Sequence, residues 1–491
     1  MTIIKCKCIF VHEYKNGKML KRTKIVATIS DKNCSEELIC SLYEAGMNVV
    51  RLNTAHQSFE DSLKVIHTVR TVSDKIALLI DTKGPEIRTT ASDTEIRVVC
   101  GDKIKMKGDP NGLTNSDCIC VSYPDFVKDV PVGSKIMIDD GDLELQVIEK
   151  QDDVLVCQVH NDGFIQGKKS VNIPSVHIKL PAMTEKDKSY IEFAIKEEID
   201  FIAHSFVRRK EDVLAVQEIL DKHNSRIKII SKIENQEGVD NIDEIIEHSY
   251  GIMIARGDLA IEVPKEKIPS IQKMIISKCI EARKPVITAT QMLHSMIKNP
   301  RPTRAEVSDV ANAIYDGTDA VMLSGETAYG KYPLESVRTM TEIAIEVEKN
   351  KCPFIEMQAK VLNNEISAYL GKSAVKAAFR LDAKALVADS ASGRTIRNVA
   401  GFRGIKPVFA LCYNHRVMRE LALSYGVMAE FMEPRLTTDE FLQHGLAQCL
   451  DKNYLDIDDR IVVLAGSFGR FKGASFIEIS TVRNLLTRTK S

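Results

Sequence analysis

A chain of 491 residues is longer than one hydrophobic core usually supports, so it is expected to fold as two to four domains. With 44% hydrophobic residues, 27% charged residues and a formal net charge of -1, it has no bulk field that would select nucleic acid or an anionic membrane. The opening MTIIKCKCIF breaks its apolar residues with lysines, and no later stretch reaches the roughly 18 uncharged residues of a membrane helix, so a cytoplasmic protein is expected.

Residues 1–20 are an N-terminal extension without an assignable role. From residue 21 a short apolar run alternates with a helical pattern: TKIVATIS, MNVVRLN and IALLIDTKG come first. After residue 88 the cycle is interrupted. Residues 89–183 are rich in Gly, Asp and Val, with alternating runs such as DLELQVIEK and turn signals such as GDPNG, which reads as a small inserted β-barrel. The cycle then resumes through FIAHSF, IKIISKIE, YGIMIARGD, PVITATQ and AVMLSGE up to residue 352. Eight strand-helix units in series predict an α/β fold built on a closed (β/α)8 TIM barrel. An insertion in a strand-to-helix loop sits at the catalytic end of such a barrel, where it is placed to act as a lid. Residues 353–491 restart the pattern with AKALVADS, PVFALCYN, VMAEFM, RIVVLAG and SFIEIS, a C-terminal α/β domain.

Twelve cysteines run from Cys6 to Cys449 without a spaced framework, so reduced thiols are expected. The pairs Cys6/Cys8 and Cys118/Cys120 lack the second pair that a zinc site needs.

Polar residues gather at the carboxyl ends of the predicted barrel strands. The second ends in Arg51, Asn53 and His56, and the third in Asp81, Thr82, Lys83, Glu86 and Arg88. The next four end in His204 and Ser205, Lys232 and Glu234, Arg256 and Asp258, and Thr290 and Gln291; the eighth ends in Ser324 and Glu326. A single charged strand end is ordinary, because strands end at solvent. Seven strands doing so together point to one mouth. Glu234 and Asp258, on adjacent strands, can share a divalent cation that keeps open positions for substrate oxygens; the alternative is an ion pair with Lys232 or Arg256. A helical turn at Gly257 and Asp258 would aim backbone N–H groups at an anion. Lys232 and Glu234 are two residues apart and share one strand face, so the lysine stands beside the metal and faces the reacting anion. That pairing suits phosphoryl transfer or enolate chemistry.

MNVVRLNTAH, LLIDTKGPEIRT, KIEN, IIEHSYGIMIARGDLAIEVP and ATQMLHSMIKNPRPTRAEVSDVANAIYDGTDAVMLSGETA together resemble the pyruvate kinase family, from about residue 21 to the C-terminus. The resemblance implies phosphoryl transfer from phosphoenolpyruvate to ADP, giving pyruvate and ATP, with magnesium (or manganese) and potassium, in a homotetramer. It makes Glu234 and Asp258 the magnesium ligands and Lys232 the cation at the transferring group. Gly257, Asp258 and Thr290 resemble the carboxylate-binding groups, and Arg51 the phosphate-contacting arginine. Asn53, His56 and Arg88 belong by resemblance to the nucleotide side, toward which Asp140 of the insertion closes. Ser324 and Glu326 resemble a relay that protonates the enolate near Thr290. Asn53, Asp81 and Thr82 resemble potassium ligands, and Glu86 is similar to the acidic residue of potassium-dependent members. Where the family commonly has N-x-S-H, this chain has Asn53, Thr54, Ala55 and His56, so one hydroxyl ligand is missing.

In the C-terminal domain, Ser390, Ser392, Gly393, Arg394 and Thr395 of SASGRT resemble the loop that holds a phosphorylated effector, with a plain helix-capping turn as the alternative reading. Arg470 and Lys472 of GSFGRFKG are further phosphate partners, and the absence of tryptophan removes an aromatic contact that some relatives make there. Two other functions are open to the same fold, a magnesium-dependent lyase or aldolase and a sensor without turnover. The first has no use for the ADP-side arginines, and the second would be expected to lose a charge from the phosphoryl site.

Overall fold

The structure, a computed structural model, describes residues 20–174, 176–351, 366–435, 437–466 and 473–488. The N-terminal extension up to residue 19 and the readings placed on Arg470 and Lys472 lie outside the described residues.

Each of the eight apolar runs forms one strand of a closed parallel barrel. In chain order the strands are Lys24–Thr28, Val49–Asn53, Ala77–Asp81, Phe201–His204, Lys228–Ile233, Gly251–Ala255, Val286–Ala289 and Ala320–Leu323; the first pairs with both the second and the last. Both strand faces are buried, which is why the runs read as continuous apolar stretches. Alternate residues fill different cores. Val26, Val49, Ala77, Phe201, Ile230, Met253, Ile287 and Ala320 pack inside the barrel, whereas Ile25, Val50, Leu78, Ile202, Ile229 and Ile252 pack outward beneath the helices. This parity decides which polar residue at each strand end enters the mouth.

The insertion leaves the barrel after its third strand. A six-stranded sheet and a two-stranded ribbon wrap around one core, in which Val98 and Ile165 of the ribbon join Ile136, Leu145 and Cys157 of the sheet. The C-terminal domain is a five-stranded sheet with helices on both faces; four strands are parallel and Phe476–Thr481 adds an antiparallel edge. Its Leu423 reaches into the barrel's interior core and closes the floor opposite the mouth.

One helix cap bears directly on the site. Thr184 and Asp187 form a reciprocal capping box at the start of helix Glu185–Lys196, an arrangement typically worth about 1 kcal/mol. Asp187 is buried, and its other carboxylate oxygen accepts from the Lys83 and Gly84 N–H groups at 2.9 and 3.2 Å, fixing the loop after the third strand. Gly84 has φ +74°, and a Cβ there would collide with Ser205 and Phe206, so the turn requires glycine.

Eight of the described cysteines are free thiols. Cys40 departs from the reduced-thiol expectation, because it is disulfide-bonded. Among the described residues no helix is long and apolar enough to cross a membrane.

Candidate active site

Following the inward parity one step beyond the apolar layer brings Thr28, Arg51, Asp81, Ser205 and Lys232 into a hydrogen-bonded ring at the barrel mouth. Asp81 is its hub: Oδ2 accepts from Arg51 Nε at 2.6 Å and Oδ1 from Lys232 Nζ at 3.0 Å. Arg51 Nη1 also donates to Thr28 Oγ1 at 2.9 Å, and Thr28 donates to the Leu323 carbonyl, closing the ring across the first and eighth strands. Lys232 has three neighbours for its three protons: Asp81, Ser205 Oγ at 2.7 Å and Glu234 Oε1 at 3.0 Å. Burial opposes its charge, but Asp81 and Glu234 outweigh burial and hold the ammonium above the usual lysine range. Burial likewise disfavours the Asp81 carboxylate, and Arg51 and Lys232 reverse this and hold it below the usual range.

The outer carboxylates are in a different condition. Burial raises Glu234, Lys232 only partly offsets it, and Asp258 adds repulsion. Asp258 is raised too, again chiefly by burial, with Lys232 opposing. Two crowded carboxylates that resist ionisation together suit a divalent cation, which would relieve both. Among the described residues no three His, Cys, Asp or Glu side chains form a ready-made metal cage. Two carboxylates still fit magnesium, which keeps waters and takes substrate oxygens for its remaining positions. The ion-pair alternative is realised for Lys232 and Glu234 but not for Arg256, which turns away to Asp309 at 2.7 Å and the Thr290 carbonyl at 2.8 Å.

Arg256 thereby holds the loop after the seventh strand, where Thr290 and Gln291 have φ of +67° and +55°. Two consecutive left-handed non-glycine residues cost roughly 1–2 kcal/mol each, and such strain gathers at functional loops. The strained turn brings Thr290 Oγ1 to within 2.7 Å of the Gly257 N–H, which donates to it. A ligand carboxylate using that N–H must share or displace the hydroxyl. A Cβ on Gly257 would meet only Thr290, at 3.4 Å, so nothing in the protein demands glycine there.

Several expected residues stand differently from a simple convergence. Glu326 is buried with its carboxylate engaged by the N–H groups of Leu293 and Ser324, at 3.1 and 2.8 Å, and so braces the loop. The Ser324 hydroxyl has no hydrogen-bond partner among the described residues. His204 lies on the outward parity with Ile202, fully buried with neither ring nitrogen hydrogen-bonded, and burial pushes it down to about 4. Asn53 Oδ1 accepts from the Ala55 N–H at 3.2 Å, His56 is exposed, and Arg88 pairs with Glu86 and the Lys168 carbonyl at the root of the insertion. The Thr82 carbonyl accepts from Ser205 Oγ at 2.6 Å. Asp140, in a turn of successive positive φ, accepts from Ser170 at 2.8 Å and lines the cleft that Asp258 also lines.

Sequence reasoning assigned no role to Thr28, Ser205 or Asp187. The inward parity was the available signal for the first two; nothing local marks the third as more than a cap. In the C-terminal loop Ser390 Oγ accepts from the Gly393 N–H at 2.8 Å, Gly393 has φ +75°, and helix Arg394–Gly401 starts there without a side-chain cap, so neither Ser392 nor Thr395 plays the capping role.

Comparison with known proteins agrees with this arrangement. A family model described as "Pyruvate kinase, barrel domain" matches residues 20–337, and "Pyruvate kinase, alpha/beta domain" matches 369–480. A pyruvate kinase of Borreliella burgdorferi is 50% identical over 471 residues, covering 95% of this chain and 98% of the relative. One from Bacillus licheniformis is 44% identical over 479 residues, with 96% and 82% coverage. The crystal structure of a pyruvate kinase from Cryptosporidium parvum superimposes with a TM-score of 0.88 at 36% identity, covering 94% of this chain and 96% of that one. With both family domains matched in order around a ring of buried charges at the barrel mouth, the chain belongs to the pyruvate kinase family.

Proposed function

We propose that the chain transfers the phosphoryl group of phosphoenolpyruvate to ADP, giving ATP and an enolate that is protonated to pyruvate. The observation that carries this reading is Lys232, held by Asp81, Ser205 and Glu234 beside Asp258. Three fixed neighbours aim the ammonium before substrate arrives, and such preorganisation is what stabilises charge developing on a transferring group.

Glu234 and Asp258 would hold magnesium or manganese, which when bound supplies Lewis-acid stabilisation of substrate oxygens. Lys232 exchanges one protein contact for a phosphoryl oxygen, and Arg51, anchored by Thr28 and Asp81, presents its remaining donors to the same group. The Gly257 and Asp258 N–H groups and Thr290 orient the substrate carboxylate. Ser324, braced through its N–H by Glu326, has its hydroxyl available to pass a proton to the enolate. In this reading Glu326 positions the relay and does not carry the proton itself. Asn53, His56 and Arg88 face ADP, and Asp140 closes toward it with the insertion. A coupled assay for ATP formed from phosphoenolpyruvate and ADP tests the reading, and an absence of ATP would overturn it in favour of the lyase or sensor alternatives.

Potassium would sit among Asn53, Asp81 and Thr82, near Glu86. The Asp81 oxygens already accept from Arg51 and Lys232 and the Thr82 carbonyl from Ser205, and Ala55 offers no hydroxyl. Activation by potassium is therefore expected at a weaker apparent affinity than a hydroxyl-bearing site would give, and Ala55→Ser should lower the potassium needed for half-activation several-fold. An unchanged potassium curve, measured at constant ionic strength, would remove this account. A phosphorylated effector at 390–395, the homotetramer and the cytoplasmic setting rest on the family resemblance.

A further inference from the structure

Behind the carboxylate pair, between the strand that returns from the insertion and the barrel, lies a cavity of about 330 Å³. That is within the range of small-molecule sites. It borders the proposed metal site at Asp258 and Phe206 and the nucleotide side at Glu86 and Asp140, but is lined by none of Arg51, Lys232, Gly257 or Thr290, the groups proposed to hold phosphoenolpyruvate. One wall is the return segment, with Ile173, Val176 and Ile178; the other is the barrel, with Glu237, Asp240, Ile261 and Glu262.

The charges in this cavity are one-sided. Arg208 is fully engaged by Asp212 and by the carbonyls of Ile178, Leu180 and Pro181. His177 contacts Glu237 at 3.0 Å. Glu262 receives a single hydrogen bond, from Asn172 Nδ2 to Oε1 at 3.3 Å, and Oε2 has no partner among the described residues. Burial holds the Glu262 carboxyl above its ordinary range, as expected of a half-buried acid without a cation. Ile173, Val176, Ile178 and Ile261 in the walls offer a small inorganic ion no side-chain ligands. Apolar walls beside an under-partnered carboxylate instead suit an organic cation with an apolar body.

We infer that this cavity is a second ligand site, which takes a primary amine with a short apolar body and pairs its ammonium with Glu262. Because the walls belong to the insertion and to the barrel, a bound amine fixes one orientation of the insertion against the barrel. It also rests on the turns that follow Glu234 and Asp258. Occupancy therefore slows turnover without occupying the phosphoenolpyruvate position. The binding claim stands on the cavity alone; only the kinetic consequence rests on the proposed reaction.

The test uses three probes with one skeleton: 4-phenylbutylamine, 4-phenylbutanol and 4-phenylbutyrate, titrated calorimetrically into the full chain with magnesium saturating. The amine should bind at one site, with the alcohol and the carboxylate at least about tenfold weaker. Glu262→Gln, which keeps shape and the Asn172 contact, should weaken the amine about tenfold or more, and Val176→Phe, which fills the cavity, should do the same without touching a charge. Equal binding of the three probes, no binding of the amine, or affinity unchanged in both variants would overturn the site. In the coupled assay the amine should lower the rate at saturating phosphoenolpyruvate; inhibition fully relieved by substrate would overturn the kinetic consequence and place the amine in the substrate cleft.

Discussion

The two ends of the barrel both bury charge, and they treat it in opposite ways. At the floor, where the C-terminal domain docks, four buried acids are each closely matched, and a fifth, Glu420, has only looser contacts to Lys228 and Arg416 at 3.8 and 3.5 Å. Asp319 takes both Arg403 amines at 2.8 and 2.6 Å and also accepts from the Val286 and Tyr425 N–H groups. Glu348 is held by Arg22 and Thr23, and Asp200 by Arg70 and Arg419. Glu430 accepts from Lys75, Lys452 and Tyr454. At the mouth, three carboxylates (Asp81, Glu234 and Asp258) face two cations, Arg51 and Lys232, and two of the three acids are raised by burial. Matched buried charge makes a rigid joint, whereas unmatched buried charge is strained until something from outside completes it. The position of a charge along a strand thus says less about its role than its partners do.

The largest effect expected from breaking this contrast is at Lys232. Lys232→Met removes one of the two mouth cations aimed at the transferring group, and turnover should fall at least about a hundredfold, corresponding to roughly 3 kcal/mol of transition-state stabilisation. The magnesium-induced rise in melting temperature should persist, since both carboxylates remain. A loss of turnover below tenfold in the coupled assay would remove the lysine from its proposed role.

At the floor the same kind of change should cost stability and leave chemistry alone. Glu430→Gln leaves Lys75 and Lys452 facing a neutral amide, and unfolding should become easier by about 2–3 kcal/mol. That is below the ~3–5 of a fully buried pair, because both lysines keep access to water. Burial alone would raise Glu430, but the two lysines overcome it and lower its folded pKa. Its stabilisation is therefore present above the unfolded carboxylate value and is lost as pH falls through the folded one. Melting temperature against pH should show a shallower acid limb in the variant, with turnover per folded molecule unchanged below its transition. A variant whose acid limb matched the parent chain would show that Glu430 does not carry this joint.

Much of the mouth was legible because strand periodicity and metal chemistry are local. Two residues on one face, Lys232 and Glu234, can be read from spacing alone, and the eight runs announce the barrel. What spacing cannot carry is who bonds to whom across the chain. Asp81 reads as one more oxygen near a cation site, yet it is the hub joining Arg51 to Lys232, residues 30 and 151 positions away. Thr28 sits in TKIVATIS as an apparent β-branched filler, and only the closure of the first strand against the eighth gives its hydroxyl two partners. Glu326 and His204 show the converse: both stand at strand ends, but the carboxylate of one accepts from backbone N–H groups and the other faces the helices. The floor was almost invisible in the sequence, since its ion pairs join residues as far apart as Arg22 and Glu348.

The carboxylate pair gives a smaller effect whose sign separates the two ends. Without metal, ionised Glu234 and Asp258 repel each other in a buried place, so Glu234→Gln should leave the metal-free protein as stable as the parent chain or raise its stability by about 1 kcal/mol. The same change at the floor destabilises. Magnesium should stabilise the parent chain by mass action and have little effect on the variant. Thermal unfolding with and without magnesium reads both outcomes, and a metal-free variant less stable than the parent would mean that the mouth charges are matched after all.

The smallest effect is at Gly257, and it tests whether the mouth is shaped by the protein or by its ligand. Its neighbours leave room for a methyl group, with Thr290 at 3.4 Å the nearest atom, and its backbone is not left-handed. Gly257→Ala should therefore change stability by no more than about 0.5 kcal/mol, with the gain in helix propensity offsetting slight crowding. The added methyl group would instead stand beside the N–H proposed to meet the substrate carboxylate. That predicts a higher KM for phosphoenolpyruvate at nearly unchanged KM for ADP, because only one of the two substrates approaches this turn. A stability loss of several kcal/mol would show that the glycine serves the fold, and equal rises in both KM values would show that the turn acts on the whole cleft and not on the carboxylate.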